Sequence, residues 1–221
     1  TMSPEGGFYY DGVKAIEQDS EGFIWVMMDY ELYRFDGYQY KKYYPYFAAL
    51  NATQGWTFNN MASDGAGNLY VNTNNGIYRY SQLTDKFERV YGPVAQVKVD
   101  GRGNVWLRHQ YNWRQLDLQA GTLYTPRYDG DSLTYVDSPF CVSQNDLYTF
   151  VRRTLYRYNY EKGEFEYCFT FPESGKGLVS YAYVHEGKLW AYFYEEGLYE
   201  INLATFAVEA HYGCFPAIEN N

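Results

Sequence analysis

The sequence predicts an all-β protein, a β-propeller built from four-stranded antiparallel blades. Three observations carry that expectation. An eight-residue phrase recurs, as "DSEGFIWV" (19–26), "DGAGNLYV" (64–71) and "DGRGNVWL" (100–107). Its aromatic residue has counterparts along the chain, so that Trp25, Tyr70, Trp106, Tyr148 and Trp190 stand 45, 36, 42 and 42 residues apart. Each anchor is also followed by two further short apolar runs, which makes four strands per period of about 40–45 residues, the repeat of a propeller.

The elements follow in order. Asp-x-x-Gly is a turn: the Asp side chain accepts from the backbone two residues on, and Gly supplies a positive φ. The runs before it, such as "VKAIEQ" (13–18) and "VAQVKV" (94–99), read as first strands. The run after it is apolar nearly throughout, as expected of an inner strand covered on both faces by neighbouring blades. Third strands are "ELYRFD" (31–36), "GIYRYS" (76–81), "WRQLDL" (113–118), "TLYRYN" (154–159) and "GLYEIN" (197–202). Fourth strands are "YQYKKYY" (38–44), "KFERVY" (86–91), "TLYTPR" (122–127), "EFEYCF" (164–169) and "FAVEAHY" (206–212). The last two copies have worn turns, "SQND" (143–146) and "HEGK" (185–188). The blades therefore fall near 11–44, 57–91, 94–127, 139–169 and 178–212, within one propeller domain spanning 1–221. They form either a complete five-bladed ring or part of a larger one. A pair of immunoglobulin-like sandwiches, the main structural rival, would not repeat one motif five times at this period.

Composition narrows the partners. The 221 residues are 46% apolar and 21% aromatic, with 28 Tyr, a residue that suits wet-rimmed cores and carbohydrate or protein contacts alike. The net charge of −9 disfavours nucleic acid and anionic membrane surfaces, which are held by clustered Lys and Arg. The longest apolar run, "FIWVMM" (23–28), is far short of the roughly 20 residues of a membrane helix. The opening "TMSPEGGFYY" has neither the basic nor the apolar segment of a signal peptide. Cys141, Cys168 and Cys214 show no Cys-x-x-Cys spacing, so they are read as small buried hydrophobes and no zinc site is expected.

The first repeat, "VKAIEQDSEGFIWVMMDYELYRFDGYQYKKY" (13–43), resembles the two-component regulator propeller repeat. Val13, Ile16, Asp19, Gly22, Ile24, Trp25, Val26, Leu32, Arg34, Phe35 and Asp36 carry the likeness. The second copy carries it at Asp64, Gly67, Leu69, Tyr70, Val71, Gly76, Ile77, Arg79 and Tyr80. "YDGDSLTYVDSPF" (128–140) is similar to the family's blade linker. The likeness spans essentially the whole chain, strongly in two copies and weakly in three. It departs where the family's Gly-Thr is Met27-Met28 or Asn72-Thr73, and in the third copy, which lacks Gly-Leu before its third strand. The resemblance implies an extracytoplasmic, periplasmic sensor of a hybrid two-component system, paired with a kinase inside the cell. In that family two seven-bladed propellers and an immunoglobulin-like domain precede the membrane helix. Oligosaccharides are the usual signal, and rearrangement of a homodimer transmits it. The motif residues are structural, so the resemblance does not fix a ligand.

Ligand residues are expected on the irregular loops after second and fourth strands, opposite the short Asp-x-x-Gly turns. These loops offer Trp56, Arg108, His109, Tyr111, Trp113, Tyr128, Arg152 and Tyr194, combining flat aromatic rings with polar groups as sugar binding requires. Each aromatic also has a plain reading as blade-edge packing, and Arg152-Arg153 as a solvated loop or an ion pair. Enzymatic readings are weaker. Among the first strands Glu17 is the one carboxylate well inside its segment, whereas a propeller glycosidase needs at least two. His109, His185 and His211 fall at unrelated blade positions, against a metal-dependent lyase. No cofactor motif is present. The sequence thus points to a non-catalytic sensor propeller, with a pure protein-interaction scaffold as the alternative.

Overall fold

The computed structural model describes residues 12–43, 57–64, 66–131, 139–143, 145–172 and 178–213. Among them there is no helix. Five four-stranded sheets follow one another along the chain, each made of consecutive antiparallel strands. Blade 1 holds β1 (Ala15–Gln18), β2 (Ile24–Met27), β3 (Leu32–Phe35) and β4 (Tyr40–Lys42). Blade 2 holds β5 (Phe58–Ser63), β6 (Leu69–Thr73), β7 (Gly76–Ser81) and β8 (Lys86–Tyr91). Blade 3 holds β9 (Gln96–Val99), β10 (Val105–His109), β11 (Asn112–Asp117) and β12 (Thr122–Tyr124). Blade 4 holds β13 (Phe140–Val142), β14 (Leu147–Val151), β15 (Thr154–Asn159) and β16 (Glu164–Thr170). Blade 5 holds β17 (Val179–His185), β18 (Lys188–Phe193), β19 (Gly197–Asn202) and β20 (Val208–Tyr212). This is the blade architecture of a propeller, as the repeat implied.

The Asp-x-x-Gly phrase folds as its chemistry dictates. In blade 1 the Gly22 N–H donates to the Asp19 carbonyl at 3.0 Å, closing the turn. The Asp19 side chain accepts from the N–H groups of Glu21 (3.1 Å) and Phe23 (3.0 Å). Gly22, Gly67 and Gly103 all take positive φ. Asp64 repeats the pattern, accepting from Ala66 N at 2.8 Å and Asn68 N at 2.9 Å. Blade 4 substitutes Ser143, whose hydroxyl accepts from Asp146 N at 3.0 Å. Blade 5 uses a two-residue turn with Glu186 and Gly187 both at positive φ, the geometry that matches strand twist. A second glycine constraint sits at Gly76, where β7 begins: φ is +141 and a Cβ would lie 2.4 Å from the Tyr91 carbonyl oxygen.

The chain divides into two compact units. One comprises Thr1–Val99, Gly103–Gln110 and Arg114–Tyr124; the other comprises Asp100–Arg102, Tyr111–Trp113 and Thr125–Asn221. In the first unit, Trp25, Met27, Leu32 and Tyr43 of blade 1 pack against Met61, Leu69, Val71, Tyr78, Tyr80 and Phe87 of blade 2. The opposite face of blade 2, with Ala62, Tyr70 and Ile77, packs against Val97, Val105, Leu107 and Leu116 of blade 3. In the second unit, Tyr148, Phe150 and Leu155 of blade 4 meet Leu189, Ala191, Tyr199 and Ile201 of blade 5. A polarity emerges. The anchor aromatics Trp25, Tyr70 and Tyr148 point toward the following blade of their own unit, and the aliphatic pairs Leu69–Val71, Val105–Leu107 and Leu189–Ala191 point toward the preceding one. Apolar burial of this kind is worth about 1.5–3 kcal/mol for each large side chain. Cys141 and Cys168 are free thiols, buried and half-buried, and burial pushes Cys168 up to about 11. Cys214 lies outside the described residues.

Candidate functional site

The loop between second and third strands is the best-defined part of the expected ligand end in the second unit. Arg153, in the β14–β15 turn, reaches across to Glu196 in the β18–β19 turn. Its two terminal nitrogens donate to the two carboxylate oxygens at 2.6 and 2.9 Å, and one also donates to the Pro172 carbonyl at 2.6 Å. Both side chains are largely buried, at 10% and 7% exposure. The guanidinium lies 4.4 Å above the Phe193 ring, a cation–π contact. The Tyr199 hydroxyl donates to Glu196 at 3.4 Å, and His211 stacks on Tyr199 with ring centroids 4.0 Å apart. The result is a braced pair of adjacent loops. On it, Arg152, Tyr194 and Glu195 stand exposed, with Arg152 and Glu195 in the left-handed backbone region.

The remaining expected ligand residues divide by exposure. Tyr111, in the β10–β11 turn, is exposed. Arg108 and His109 end β10 half-buried, and the His109 Nδ1 is buried without a hydrogen-bond partner among the described residues. Trp113 is only 2% exposed and stacks on Phe140 with centroids 4.3 Å apart. The sequence put Trp113 both at the end of the loop "RHQYNW" (108–113) and at the start of the third strand "WRQLDL" (113–118). In the structure β11 starts at Asn112, which turns Trp113 inward, so neither solvent nor a sugar ring reaches it. Tyr128 is likewise buried, stacked on Phe165 at 4.9 Å and 15°. Of Arg152-Arg153, the first is solvated and the second is an ion pair. Trp56 lies outside the described residues.

A second feature lies at the opposite, turn end of blades 4 and 5, where sequence reasoning expected only short uniform turns. A cavity of about 710 Å³ opens among Ser143, Asn145, Asp146, Arg157, His185 and Glu186. Asp146 pairs with Arg157 at 3.3 Å, and His185 lies 3.7 Å from Glu186. Tyr148 lies beneath, its hydroxyl pushed up to about 12 by burial and the nearby Asp146 charge. Charges of both signs suit a polar, hydroxyl-bearing solute. Individually these turn residues look like punctuation, and only their cross-blade juxtaposition makes a cavity. Among the described residues, no group of three His, Cys, Asp or Glu side chains is placed to hold a metal, and no helix is long and apolar enough to cross a membrane.

On the first strands, Glu17 is half-buried, and burial raises its carboxyl above the usual range against the opposing charge of Lys98. No other described first strand carries a carboxylate.

No protein-family model matches the chain, and no curated protein matches it in sequence. Solved structures do. The extracellular domain of BT4673 from B. thetaiotaomicron, assigned as a one-component system in one structure and a hybrid two-component system in another, superposes with TM-scores of 0.68 and 0.69 at 20% and 21% identity. Those superpositions cover 93% and 95% of this chain, and 29% and 28% of BT4673's. The extracellular domain of the hybrid two-component system BT3049, from the same organism, gives 0.64 at 19% identity over 94% of this chain and 31% of its own. PorZ, a surface component of the type-IX secretion system of Porphyromonas gingivalis, gives 0.64 at 9% identity over 90% and 28%. The chain thus spans under a third of each of these proteins. The likeness read from the repeat holds at the level of the fold, which is that of these extracellular domains.

Proposed function

We propose that the chain is a non-catalytic, extracytoplasmic (periplasmic) sensor segment of a hybrid two-component receptor, which responds to an oligosaccharide as part of a homodimer. The observation that carries this is the shared fold over more than nine-tenths of the chain with extracellular domains of such systems, joined to the repeat residues of blades 1 and 2. The braced loops of blades 4 and 5 support a ligand role. Arg153–Glu196 fixes their shape, which lowers the loop-ordering cost of presenting Arg152 and Tyr194 at binding. In this reading Tyr111, Arg152 and Tyr194 of the second unit touch the sugar and the buried Trp113 and Tyr128 hold their own loops in place. A non-catalytic role fits Glu17, the one carboxylate on the described first strands, where glycoside hydrolysis needs a pair. The scaffold reading, a propeller that binds protein and no small ligand, is favoured by the exposed tyrosines of blade 5, Tyr181, Tyr183 and Tyr212.

Thermal unfolding against a panel of plant and host oligosaccharides tests the proposal. A ligand at 100 times its dissociation constant adds about 2.7 kcal/mol. One glycan class should give a saturable shift that Tyr194→Ala or Tyr111→Ala removes, with the ligand-free melting temperature unchanged. A flat panel from a cooperatively melting sample would sink the oligosaccharide reading and favour the scaffold.

A further inference from the structure

The junction of blades 1 and 2 is an internal reference for the cavity at the turn end of blades 4 and 5, because the strand registers match. Arg34 faces Trp25 across β2 and β3, as Arg157 faces Tyr148 across β14 and β15. Tyr80 faces Leu69 across β6 and β7, as Ile201 faces Leu189 across β18 and β19. The turns that follow match too, with Asp85 and Phe206 at equivalent places and both at positive φ.

Between blades 1 and 2 this place is filled by a phenol. The Tyr80 ring packs edge-on against Trp25, with centroids 4.8 Å apart. Its hydroxyl accepts from the Arg34 guanidinium at 2.7 Å and donates to the Asp85 carboxylate at 2.7 Å. Arg34 also lies 4.5 Å above the Phe23 ring.

Between blades 4 and 5 the phenol is gone and its surroundings remain. Tyr148 and Arg157, the counterparts of Trp25 and Arg34, line the cavity. So does Asp146, which stands two residues before its anchor as Phe23 does. A carboxylate therefore again accompanies the guanidinium, at 3.3 Å, supplied by blade 4 because Phe206 has replaced the one in the blade 5 turn. The Tyr80 position is Ile201, buried in the core and without a hydroxyl. Turn length adds room. Five residues separate Gln18 from Ile24 and Ser63 from Leu69, whereas four separate Val142 from Leu147 and Val184 from Leu189. Val142, Val184 and Leu203 give the cavity apolar lining beside its polar groups. The ion pair uses Nε of Arg157, which leaves the two terminal nitrogens for a guest. Asp146 and Arg157 cancel in charge, so with His185 neutral Glu186 gives a negative balance that disfavours an anion and suits an amine.

We propose that this cavity binds a small-molecule phenol, neutral or cationic, whose hydroxyl accepts from Arg157 and donates to Asp146 as that of Tyr80 does between Arg34 and Asp85. Its volume of about 710 Å³ falls within the roughly 300–1,000 Å³ of small-molecule sites. The site lies at the turn end, away from Arg152 and Tyr194, so the inference does not depend on the oligosaccharide reading.

Calorimetric titration with tyramine, and with phenethylamine, which differs only in lacking the hydroxyl, tests it. Tyramine should bind at least about tenfold more tightly, the effect of one hydrogen bond to a charged group. Arg157→Gln, at an exposed position, should abolish that advantage and leave phenethylamine binding unchanged, with circular dichroism melting to confirm that the variant is folded. If that variant does not fold, Ala204→Trp, at an exposed turn position on the cavity, replaces it and should block both amines. Tyramine that does not bind, equal binding of the two amines, an advantage that survives Arg157→Gln, or binding that survives Ala204→Trp would each overturn the proposal. So would glucose, another hydroxyl-bearing ring, binding in place of tyramine and failing to bind Arg157→Gln. An oligosaccharide-induced shift in melting that Tyr194→Ala removes is read separately, so the two readings fail independently.

Discussion

The carboxylate of Asp19 holds the indole of Trp25: Nε1–H donates to Oδ2 at 2.8 Å in the interior of blade 1. The other oxygen, Oδ1, takes the two turn N–H groups. One side chain thus closes the hairpin and fixes the orientation of the residue that packs on the next blade. Trp25 lies within 6.0 Å, centroid to centroid, of Tyr43, Tyr80 and Phe87. Asp-to-Trp in the repeat is therefore a single device, joining turn chemistry to blade–blade packing.

Asp19→Ala should be costly for that reason. It removes an acceptor from three donors, and the buried indole N–H loses its partner. Bonds to charged groups contribute about 1.5–3 kcal/mol each, and an orphaned buried donor costs about 1–3 kcal/mol. A loss of roughly 3 kcal/mol in urea unfolding is expected, with Asp19→Asn losing less because its carbonyl oxygen still accepts. A change under about 0.5 kcal/mol, the usual range for surface substitutions, would mean that the carboxylate is dispensable.

The Arg153–Glu196 pair should behave as a buried ion pair. Removing one partner strands the other charge, which costs about 3–5 kcal/mol. Glu196→Gln and Arg153→Met should each fall in or near that range by denaturant unfolding, and the double variant should lose less than the sum. Strict additivity would show that the two groups do not interact energetically. In the single variants the oligosaccharide-induced shift should also shrink, since the loops carrying Arg152 and Tyr194 lose their brace.

Acid should loosen the junction of blades 1 and 2. Burial alone would raise the Asp85 carboxyl, but hydrogen bonds from Lys41, Tyr43 and Tyr80 outweigh it and hold it down to about 2. A carboxyl depressed on folding contributes stability that is complete above its ordinary value and lost as pH falls through the folded value. The loss should run from about pH 4 to pH 2, and it should be no more than about 1 kcal/mol because Asp85 is a third exposed and solvent screens it. Asp85→Asn should flatten the stability profile in that window. An unchanged slope would assign the acid sensitivity to other groups.

Much of the fold was legible because its signals are local. Asp-x-x-Gly declares a hairpin within four residues, and an apolar run after it declares an inner strand, so the blades could be read even where "SQND" and "HEGK" had worn. What the sequence did not show lies across strands and blades. The Trp25–Asp19 bond spans a hairpin, and Arg153 finds Glu196 43 residues away. The cavity needs turns from two blades. Trp113 stands where loop and third strand meet, and there one residue of strand alternation decides whether an aromatic faces core or solvent. Tyr111, two residues earlier and exposed, is the cleaner probe of a ligand site. Trp113→Ala would cost about 3–5 kcal/mol as a core truncation and say nothing about binding.

Glu17→Gln separates a buried structural carboxyl from a catalytic one. A raised carboxyl is what a general acid requires, so the direction of the Glu17 shift taken alone fits a hydrolase. Its cause is burial, opposed by Lys98, with no second carboxylate on the described first strands to share the chemistry. A group raised on folding favours the folded state fully below its ordinary value, and that contribution is lost as pH rises through the folded value. At neutral pH the ionised Glu17 is therefore a cost. Replacing it by Gln should raise stability there, with no gain near pH 4, where the carboxyl is largely protonated in both states. The check is urea unfolding at the two pH values, together with release of reducing sugar from the glycan panel. Destabilisation at neutral pH would show that the ionised form is held by a favourable partner. A hydrolytic activity present in the wild type and abolished in Glu17→Gln would overturn the non-catalytic reading.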